Sequence, residues 1–200
     1  MSNIITEYET RIMLTENEYF EIVSYYLKQY PNKHFLQNTN IYLDREDLFL
    51  RHKHITLRIR TINDVNCELT LKIKGLNGDQ EINDSLSSKE ADLILNQGVF
   101  PSGNVKNYLL SLACPLSEYQ VITTLYNRRL EIEFSDHLLV IDKNTYGDIT
   151  DYNLEIESQK DINAAKKYLK IYIDKFNLSL KDQPYFGKAH RAIMAAKKDS

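Results

Sequence analysis

The stretch CELTLKIKG at residues 67–75 alternates between apolar and polar side chains from one residue to the next. Its polar positions are Glu68, Thr70, Lys72 and Lys74. Because successive residues of a β-strand point to opposite faces, this pattern predicts a strand with one apolar face and one ionic face.

Seven further segments show a similar period of two, which is typical of β-strands. The full set of predicted strands is Ile4–Leu14, Phe35–Asp44, Thr56–Ile62, Cys67–Gly75, Gln80–Leu86, Tyr119–Phe134, His137–Lys143 and Tyr152–Ser158. Short polar turns such as Asn63-Asp64 join several of them, which favours antiparallel neighbours. We expect the long segment 119–134 to be bent or bulged.

Helical patterns fill much of the remaining chain. The predicted helices are Thr15–Tyr30, Ser87–Gln97, Asn104–Ala113, Asp161–Phe176 and Lys188–Lys197. Thr15 with Glu18 and Ser87 with Glu90 have the spacing of capping boxes, and Gly98 stands where a helix C-cap glycine is expected. The 200 residues contain no Pro- or Gly-rich linker, so we predict a single α+β domain over residues 1–200.

The ionic strand faces repeat like charges two residues apart. These pairs are Glu7 and Glu9, Arg58 and Arg60, Lys72 and Lys74, Glu131 and Glu133, and Glu155 and Glu157. For any single strand, an ordinary solvated face remains the alternative, but such a face usually mixes opposite charges. About eight antiparallel strands can close around one small ligand. We therefore predict a closed eight-stranded antiparallel β-barrel with a charged lumen and with helices packed on its outside.

A lumen that holds many charges needs counter-ions, because unpaired buried charges are strongly unfavourable. A polyanion would neutralise the arginines and lysines. Mg²⁺ or Mn²⁺ would neutralise the glutamates, since these hard cations prefer oxygen ligands. The ionic pattern thus predicts a ligand that brings a polyanion and a divalent cation together.

Composition excludes several other classes of protein. A net charge of −3 gives no support for a nucleic-acid or anionic-membrane partner. Cys67 and Cys114 do not form a disulfide framework or a zinc motif. No apolar stretch approaches the roughly 20 residues that span a membrane, so a cytoplasmic location is expected. His52 and His54 show no ligand spacing, and we expect them in a polar connection.

The ordered charged motifs resemble those of the CYTH superfamily, also called triphosphate tunnel metalloenzymes. Glu7-Tyr8-Glu9-Thr10-Arg11 resembles the N-terminal ExExK signature of that family. Further matches follow in order at residues 40–44, 57–60, 69–72, 129, 139–142, 152–157 and 188–191. The chain is most similar to CYTH proteins of Gram-positive bacteria. Arg11 departs from the signature lysine, and arginine keeps the charge but is not deprotonated in proteins.

This resemblance implies a tunnel that binds a triphosphate with Mg²⁺ or Mn²⁺. The implied metal-linked and catalytic carboxylates are Glu7, Glu9, Glu155 and Glu157, with Asp142 as a further metal-linked residue. The basic residues implied to bind phosphate oxygens are Arg11, Arg58, Arg60, Lys72, Lys74, Arg129, Lys188 and Arg191. Glu81 and Asn83 occupy positions where the family often has further polar tunnel residues.

The favoured hypothesis is metal-dependent hydrolysis of inorganic tripolyphosphate, in which the basic residues stabilise the leaving diphosphate. Thiamine triphosphatase or adenylate cyclase activity on the same fold is an open alternative. A non-catalytic module that binds polyphosphate or nucleotides is another. Lys188 and Arg191 share one helical face and could plug one tunnel end. The oligomeric state, monomer or homodimer, is not specified by the sequence.

Overall fold

The computed structural model describes residues 4–75, 78–113, 115–180 and 186–198. Its strands are β1 (Ile4–Leu14), β2 (Leu36–Asp44), β3 (Ile55–Ile62), β4 (Asn66–Ile73), β5 (Asp79–Leu86), β6 (Gln120–Glu133), β7 (His137–Tyr146) and β8 (Ile149–Ser158). Its helices are α1 (Glu16–Gln29), α2 (Phe49–His52), α3 (Ser88–Gln97), α4 (Asn104–Ser111), α5 (Ile162–Phe176) and α6 (Lys188–Lys198), with a 3₁₀ turn at Leu116–Glu118.

The strands close into one barrel in the order β1-β5-β4-β3-β2-β6-β7-β8, and every neighbouring pair is antiparallel. This confirms the predicted eight-stranded closure. The β1–β8 pairing sets Glu9 opposite Glu157 and Arg11 opposite Glu155. Charged residues that are distant in sequence therefore meet on the inner wall.

The apolar strand faces point outward and are covered by helices. One core lies under α1 and α5 and contains Ile22, Leu139 and Ile156. A second core lies under α3 and α4 and contains Leu71 and Leu109. Since each fully buried aliphatic side chain stabilises the fold by about 1.5–3 kcal/mol, these two outer cores hold the barrel wall in place.

Local signals define several element boundaries as predicted. Both capping boxes form: Thr15 accepts from the Glu18 backbone N–H, and Ser87 accepts from that of Glu90. Gly98 ends α3 in the left-handed region with φ 65°. The predicted irregularity in β6 is also confirmed, since the β2–β6 register shifts between Tyr42 and Leu43. Cys114 lies outside the described residues, as does Asn77 of the polar turn that Asn77-Gly78-Asp79 predicts between β4 and β5.

Helix α2 was not predicted, because its cap is a side chain from outside the helix. The Asp44 carboxylate accepts backbone N–H bonds from Arg45 at 2.8 Å, Leu50 at 2.9 Å and Arg51 at 3.0 Å. The β7–β8 hairpin is also longer than predicted and turns at Gly147, which has φ 51°. A positive φ at this tight turn favours glycine.

Helix α6 packs against inward-facing residues at one end of the barrel, here called the α6 end. Ala192 and Ile193 bury against Tyr42, Leu125 and Tyr146, which point into the lumen. By the antiparallel topology, β2 and β4 end and β3 begins at this same end. Among the described residues, none of the helices has the length and apolar character needed to cross a membrane.

Candidate active site in the barrel lumen

The lumen contains a cavity of about 690 Å³. This volume lies within the range of roughly 300–1,000 Å³ typical of small-molecule sites. Its lining includes most of the predicted site residues: Glu7, Glu9, Arg11, Arg58, Arg60, Lys72, Lys74, Arg129, Glu155, Glu157 and Lys188. Of the residues predicted to bind metal or phosphate, Asp142 and Arg191 do not line it, and neither does Asn83. The structure thus brings nearly all of the predicted site residues, from the strands and from α6, into one cavity.

Three glutamates form a compact group on the adjacent strands β1 and β8. Carboxylate oxygens of Glu9, Glu155 and Glu157 lie within 4.8 Å of one another. Glu157 makes no hydrogen bond or ion pair with any of the described residues. Burial raises the pKa of Glu157 to about 7 against the opposing effect of Arg129, and Glu7 contributes to the rise. Within this group of three glutamates, Glu157 therefore has no positively charged partner among the described residues.

The other carboxylates of this wall are held by cations. Arg11 Nε donates to Glu155 Oε1 at 2.8 Å, and Arg11 also bonds Glu9. Lys72 Nζ lies 2.9 Å from Glu7 Oε2 and 3.3 Å from Glu9 Oε1. Burial alone would raise the pKa of Glu9, but Arg11 and Lys72 outweigh it and lower the pKa to about 2. Glu9 is therefore ionised at neutral pH.

Strand β3, on the opposite wall of the lumen, carries two arginines whose donors are not fully matched by acceptors among the described residues. Arg58 Nε is buried and has no hydrogen-bond partner in the described part of the chain. The ion pair of Arg58 with Glu81 spans 3.8 Å. Arg60 Nε donates to Asn40 at 3.0 Å, and burial together with Arg58 and Arg129 lowers the pKa of Arg60 to about 10. An anion bound here would supply the missing acceptors.

Asp142 lies behind the cavity wall, fully buried, and binds two cations. Arg129 donates to it at 2.9 and 3.0 Å, and Lys188 Nζ donates at 2.6 Å. Lys188 also reaches Glu155 at 2.7 Å. Burial would raise the pKa of Asp142, but Arg129 and Lys188 lower it to about 2. In this structure Asp142 orients two basic side chains toward the lumen.

Arg191 fastens α6 to the barrel. Its Nε lies 2.7 Å from Asp151 Oδ2, and its Nη2 donates to Asn153 at 2.9 Å. Just before the helix, a Cβ at Gly187 would lie 3.1 Å from Arg11 Nη1, so a larger residue here would require the Arg11 side chain to shift by a few tenths of an ångström. The predicted plug is thus present as a helix fixed by Arg191 and by Lys188.

The cavity is also lined by residues that sequence reasoning did not select. These residues include Tyr42, Arg51, His52, His54, Thr56, Thr70, Asp79, Glu131, Phe186 and His190. Thr56, Thr70 and Asp79 share strand faces with Arg58, Lys72 and Glu81, so the alternation carried a usable signal. Arg51 and His52 could not be placed, since α2 depends on the distant cap at Asp44.

The sequence profile of the CYTH domain matches residues 6–182. The chain therefore belongs to the CYTH family. It is 34% identical over 152 residues to a Bacillus subtilis (strain 168) protein named "Putative triphosphatase YjbK", and the match covers 76% of this chain and 77% of that relative.

Solved structures show the same fold. One is a Bacillus halodurans protein described as a putative adenylate cyclase, with TM-score 0.83, 28% identity, and coverage of 94% of this chain and 97% of that one. Another is HpAC1 from Hippeastrum, with TM-score 0.76, 17% identity, and coverage of 94% and 95%. HpAC1 is described as a putative adenylyl cyclase with a dominant triphosphatase activity.

Proposed function

We propose that this protein hydrolyses a triphosphate, with inorganic tripolyphosphate as the favoured substrate, in a reaction that needs Mg²⁺ or Mn²⁺. One observation carries the proposal: Glu157 has no cationic partner among the described residues and the buried Nε of Arg58 has no acceptor among them, and both residues line one closed lumen. A triphosphate with a divalent cation supplies both missing charges.

The carboxylate group fits a hard divalent cation. Glu9, Glu155 and Glu157 present oxygens within 4.8 Å of one another, and Glu157 has no competing partner among the described residues. Oxygen-only donors favour Mg²⁺ or Mn²⁺ over softer metals. When bound, the metal would neutralise charge on the phosphate oxygens. Glu7 lies beside this group but is bound by Lys72.

The chain's own side chains would bind and orient the substrate. Arg58 and Arg60 are placed to donate to phosphate oxygens, and Arg129 is oriented by Asp142. Phosphoryl transfer depends on such positioning and charge stabilisation more than on covalent chemistry. We assign Glu157 a second role as the acceptor of a hydrogen bond from the attacking water. The enclosed lumen excludes bulk water and strengthens these interactions.

Relatives support the nature of the ligand. The Bacillus subtilis relative is named "Putative triphosphatase YjbK", and the Hippeastrum protein of the same fold is described as having dominant triphosphatase activity. The Bacillus halodurans protein is described as a putative adenylate cyclase, and a cyclase also begins from a triphosphate. Tripolyphosphate is favoured here because the lumen residues described above offer charge rather than a defined base pocket.

A phosphate-release assay tests the proposal. Tripolyphosphate, ATP and thiamine triphosphate are each incubated with Mg²⁺ or Mn²⁺ and the wild-type protein. We expect release from tripolyphosphate that stops when the metal is chelated. Glu9→Gln and Glu157→Gln should lower turnover at least about a hundredfold, as for loss of a central electrostatic group. Glu133→Gln is the matched control, because Glu133 lies on β6 with a 76% exposed side chain.

The assay also separates the alternatives. Formation of cyclic AMP and diphosphate from ATP would replace hydrolysis by cyclisation. Binding of tripolyphosphate without phosphate release under any metal would indicate a binding module. Undiminished turnover in both Glu→Gln variants would refute the assignment of the carboxylate group.

A further inference from the structure

Arg11 lies between two members of the group of three glutamates in the lumen. It faces Glu155 directly across the β1–β8 pairing, and Glu9 precedes it by two residues on the same strand face. Its Nε donates to Glu155 Oε1 at 2.8 Å, and its Nη2 donates to Glu9 Oε1. Among the described residues, Arg11 alone hydrogen-bonds two of the three grouped glutamates. The guanidinium therefore occupies one oxygen of each of two carboxylates that could hold a metal ion.

The third guanidinium nitrogen of Arg11 lies against the chain just before α6. A Cβ added at Gly187 would be 3.1 Å from Arg11 Nη1. The Arg11 side chain is only 12% exposed. Burial would lower the pKa of Arg11, but Glu9 and Glu155 outweigh burial and keep the pKa above its usual value. Arg11 is therefore a permanent cation whose three nitrogens all lie beside protein groups.

The arginines of β3 are placed differently. Arg58 Nε is buried and has no acceptor among the described residues. Arg60 Nε donates to the neutral side chain of Asn40 at 3.0 Å, and the ion pair of Arg60 with Glu68 spans 3.5 Å. A guanidinium binds phosphate oxygens best when its donors are free to form paired, charge-assisted bonds. Arg58 and Arg60 have this capacity, whereas Arg11 already uses two donors on carboxylates.

We propose that Arg11 is a resident counter-ion of the metal-binding carboxylates and is not a phosphate ligand. The inference rests on the proposed function, because it takes Glu9, Glu155 and Glu157 as the residues that hold the metal. An incoming divalent cation must displace Arg11 or bind beside its positive charge, and Coulomb repulsion makes either unfavourable. A lysine at this position would bring one ammonium, which lacks the planar geometry that spans two carboxylates. Arg11 thus weakens metal binding in the absence of a triphosphate.

Metal binding without phosphate tests the first half of this inference. Mn²⁺ is titrated into wild type, Arg11→Gln, Arg11→Lys and Arg128→Gln, and free Mn²⁺ is measured by electron paramagnetic resonance. The titration is done at about pH 8, because the pKa of Glu157 is about 7 and this carboxylate must be ionised. Arg128→Gln is the matched control, since Arg128 carries the same charge but lies over the Phe35 ring and does not line the cavity. Circular dichroism verifies that each variant is folded.

We expect Arg11→Gln to bind Mn²⁺ about tenfold more tightly than wild type, since a positive charge beside the divalent cation is removed. Arg11→Lys should gain about twofold to fourfold, because the charge remains but the bridge between two carboxylates is lost. Arg128→Gln should match wild type. A gain of affinity cannot arise from loss of structure, so it is specific to the counter-ion role. Equal or weaker Mn²⁺ binding by Arg11→Gln would overturn the inference.

Calorimetry with tripolyphosphate and no metal tests the second half. Arg11→Gln should raise the dissociation constant less than about threefold, as for a screened change of charge in the lumen. Arg58→Gln should raise it about tenfold or more, because a direct hydrogen bond to a charged group is lost. An effect of Arg11→Gln as large as that of Arg58→Gln would make Arg11 a phosphate ligand and overturn the inference.

Metal binding and turnover distinguish the counter-ion role from the proposed function. If Arg11→Gln gains Mn²⁺ affinity but the wild-type protein releases no phosphate from any triphosphate, the proposed function alone is contradicted. If the wild-type protein hydrolyses tripolyphosphate and Arg11→Gln gains no Mn²⁺ affinity, the counter-ion role alone is contradicted.

Discussion

At the residue scale, Glu157 and the Nε of Arg58 best indicate that the lumen binds a ligand, because neither has a hydrogen-bond partner among the described residues. Glu157 makes no ion pair among the described residues, and Arg58 Nε is buried without an acceptor. Buried charges in proteins are normally paired, since the loss of hydration is otherwise uncompensated. These two residues therefore reduce the stability of the free protein, and the proposed triphosphate and metal would supply their partners.

Glu157→Gln is predicted to stabilise the metal-free protein at high pH. The pKa of Glu157 is raised from 4.5 to about 7 in the folded state, mainly by burial. The folded protein thus holds the proton more tightly, so the free energy of unfolding from this group falls as pH rises from 4.5 through about 7. The variant should exceed wild type by about 2–3 kcal/mol at about pH 8 and match it near pH 4.

Urea unfolding with a chelator at both pH values measures this difference. Glu133→Gln, at an exposed position on β6, serves as the control and should track wild type throughout. A Glu157→Gln variant that is less stable than wild type at the higher pH would show that Glu157 already has a stabilising partner.

Arg58→Gln is predicted to weaken phosphate binding without unfolding the protein. A hydrogen bond to a charged group contributes about 1.5–3 kcal/mol, so the dissociation constant for tripolyphosphate should rise about tenfold to a hundredfold. Arg128→Gln is the matched control, because Arg128 lies over the Phe35 ring at 3.7 Å and does not line the cavity. Calorimetry measures both variants, and equal affinity in wild type and Arg58→Gln would remove Arg58 from the site.

Strand alternation was sufficient to place Glu9, Arg58 and Lys72 on the inner wall. It could not reveal which of the inward charges pair with one another. Asp142 and Arg191 lie on the expected elements, but Asp142 binds Lys188 of α6, and Arg191 binds Asp151 and Asn153 of β8. Pairing across the barrel depends on register, and register is a property of the closed sheet.

At the element scale, α2 shows how a four-residue helix can shape a site. It is held by the Asp44 carboxylate, which accepts three backbone N–H bonds. Local sequence predicted α1 and α3 because their caps lie within the capping boxes at Thr15 and Ser87. It did not predict α2, because that cap comes from the end of β2.

Asp44→Ala is predicted to lower the free energy of unfolding by about 2–3 kcal/mol, since it leaves buried backbone donors unsatisfied. Asp47→Ala is the control, because the Asp47 side chain is 59% exposed and pairs only with Arg45 among the described residues. Chemical denaturation measures both. If the two variants lose the same stability, the Asp44 cap does not hold α2.

At the scale of the whole molecule, closure places the apolar strand faces outside and the ionic faces inside. The sequence predicted this inversion from like charges that repeat on many strands, and the strand order with its β8–β1 pairing confirms it. The length of the β7–β8 hairpin and the packing contacts of α6 were not predictable, although Lys188 and Arg191 indicated that α6 could plug one tunnel end. Both depend on packing between elements that are remote in the sequence, such as Ile193 against Tyr42.

If the lumen is the active site, phosphate and metal must bind together inside the barrel. The most direct test is a crystal structure of the protein crystallised with Mn²⁺ and tripolyphosphate. We predict an anomalous peak within about 2.0–2.4 Å of oxygens from Glu9, Glu155 or Glu157. We also predict phosphate density within hydrogen-bond distance of Arg58 and Arg60. Density for the polyanion on the outer surface, with neither manganese nor phosphate in the lumen, would contradict a lumenal active site.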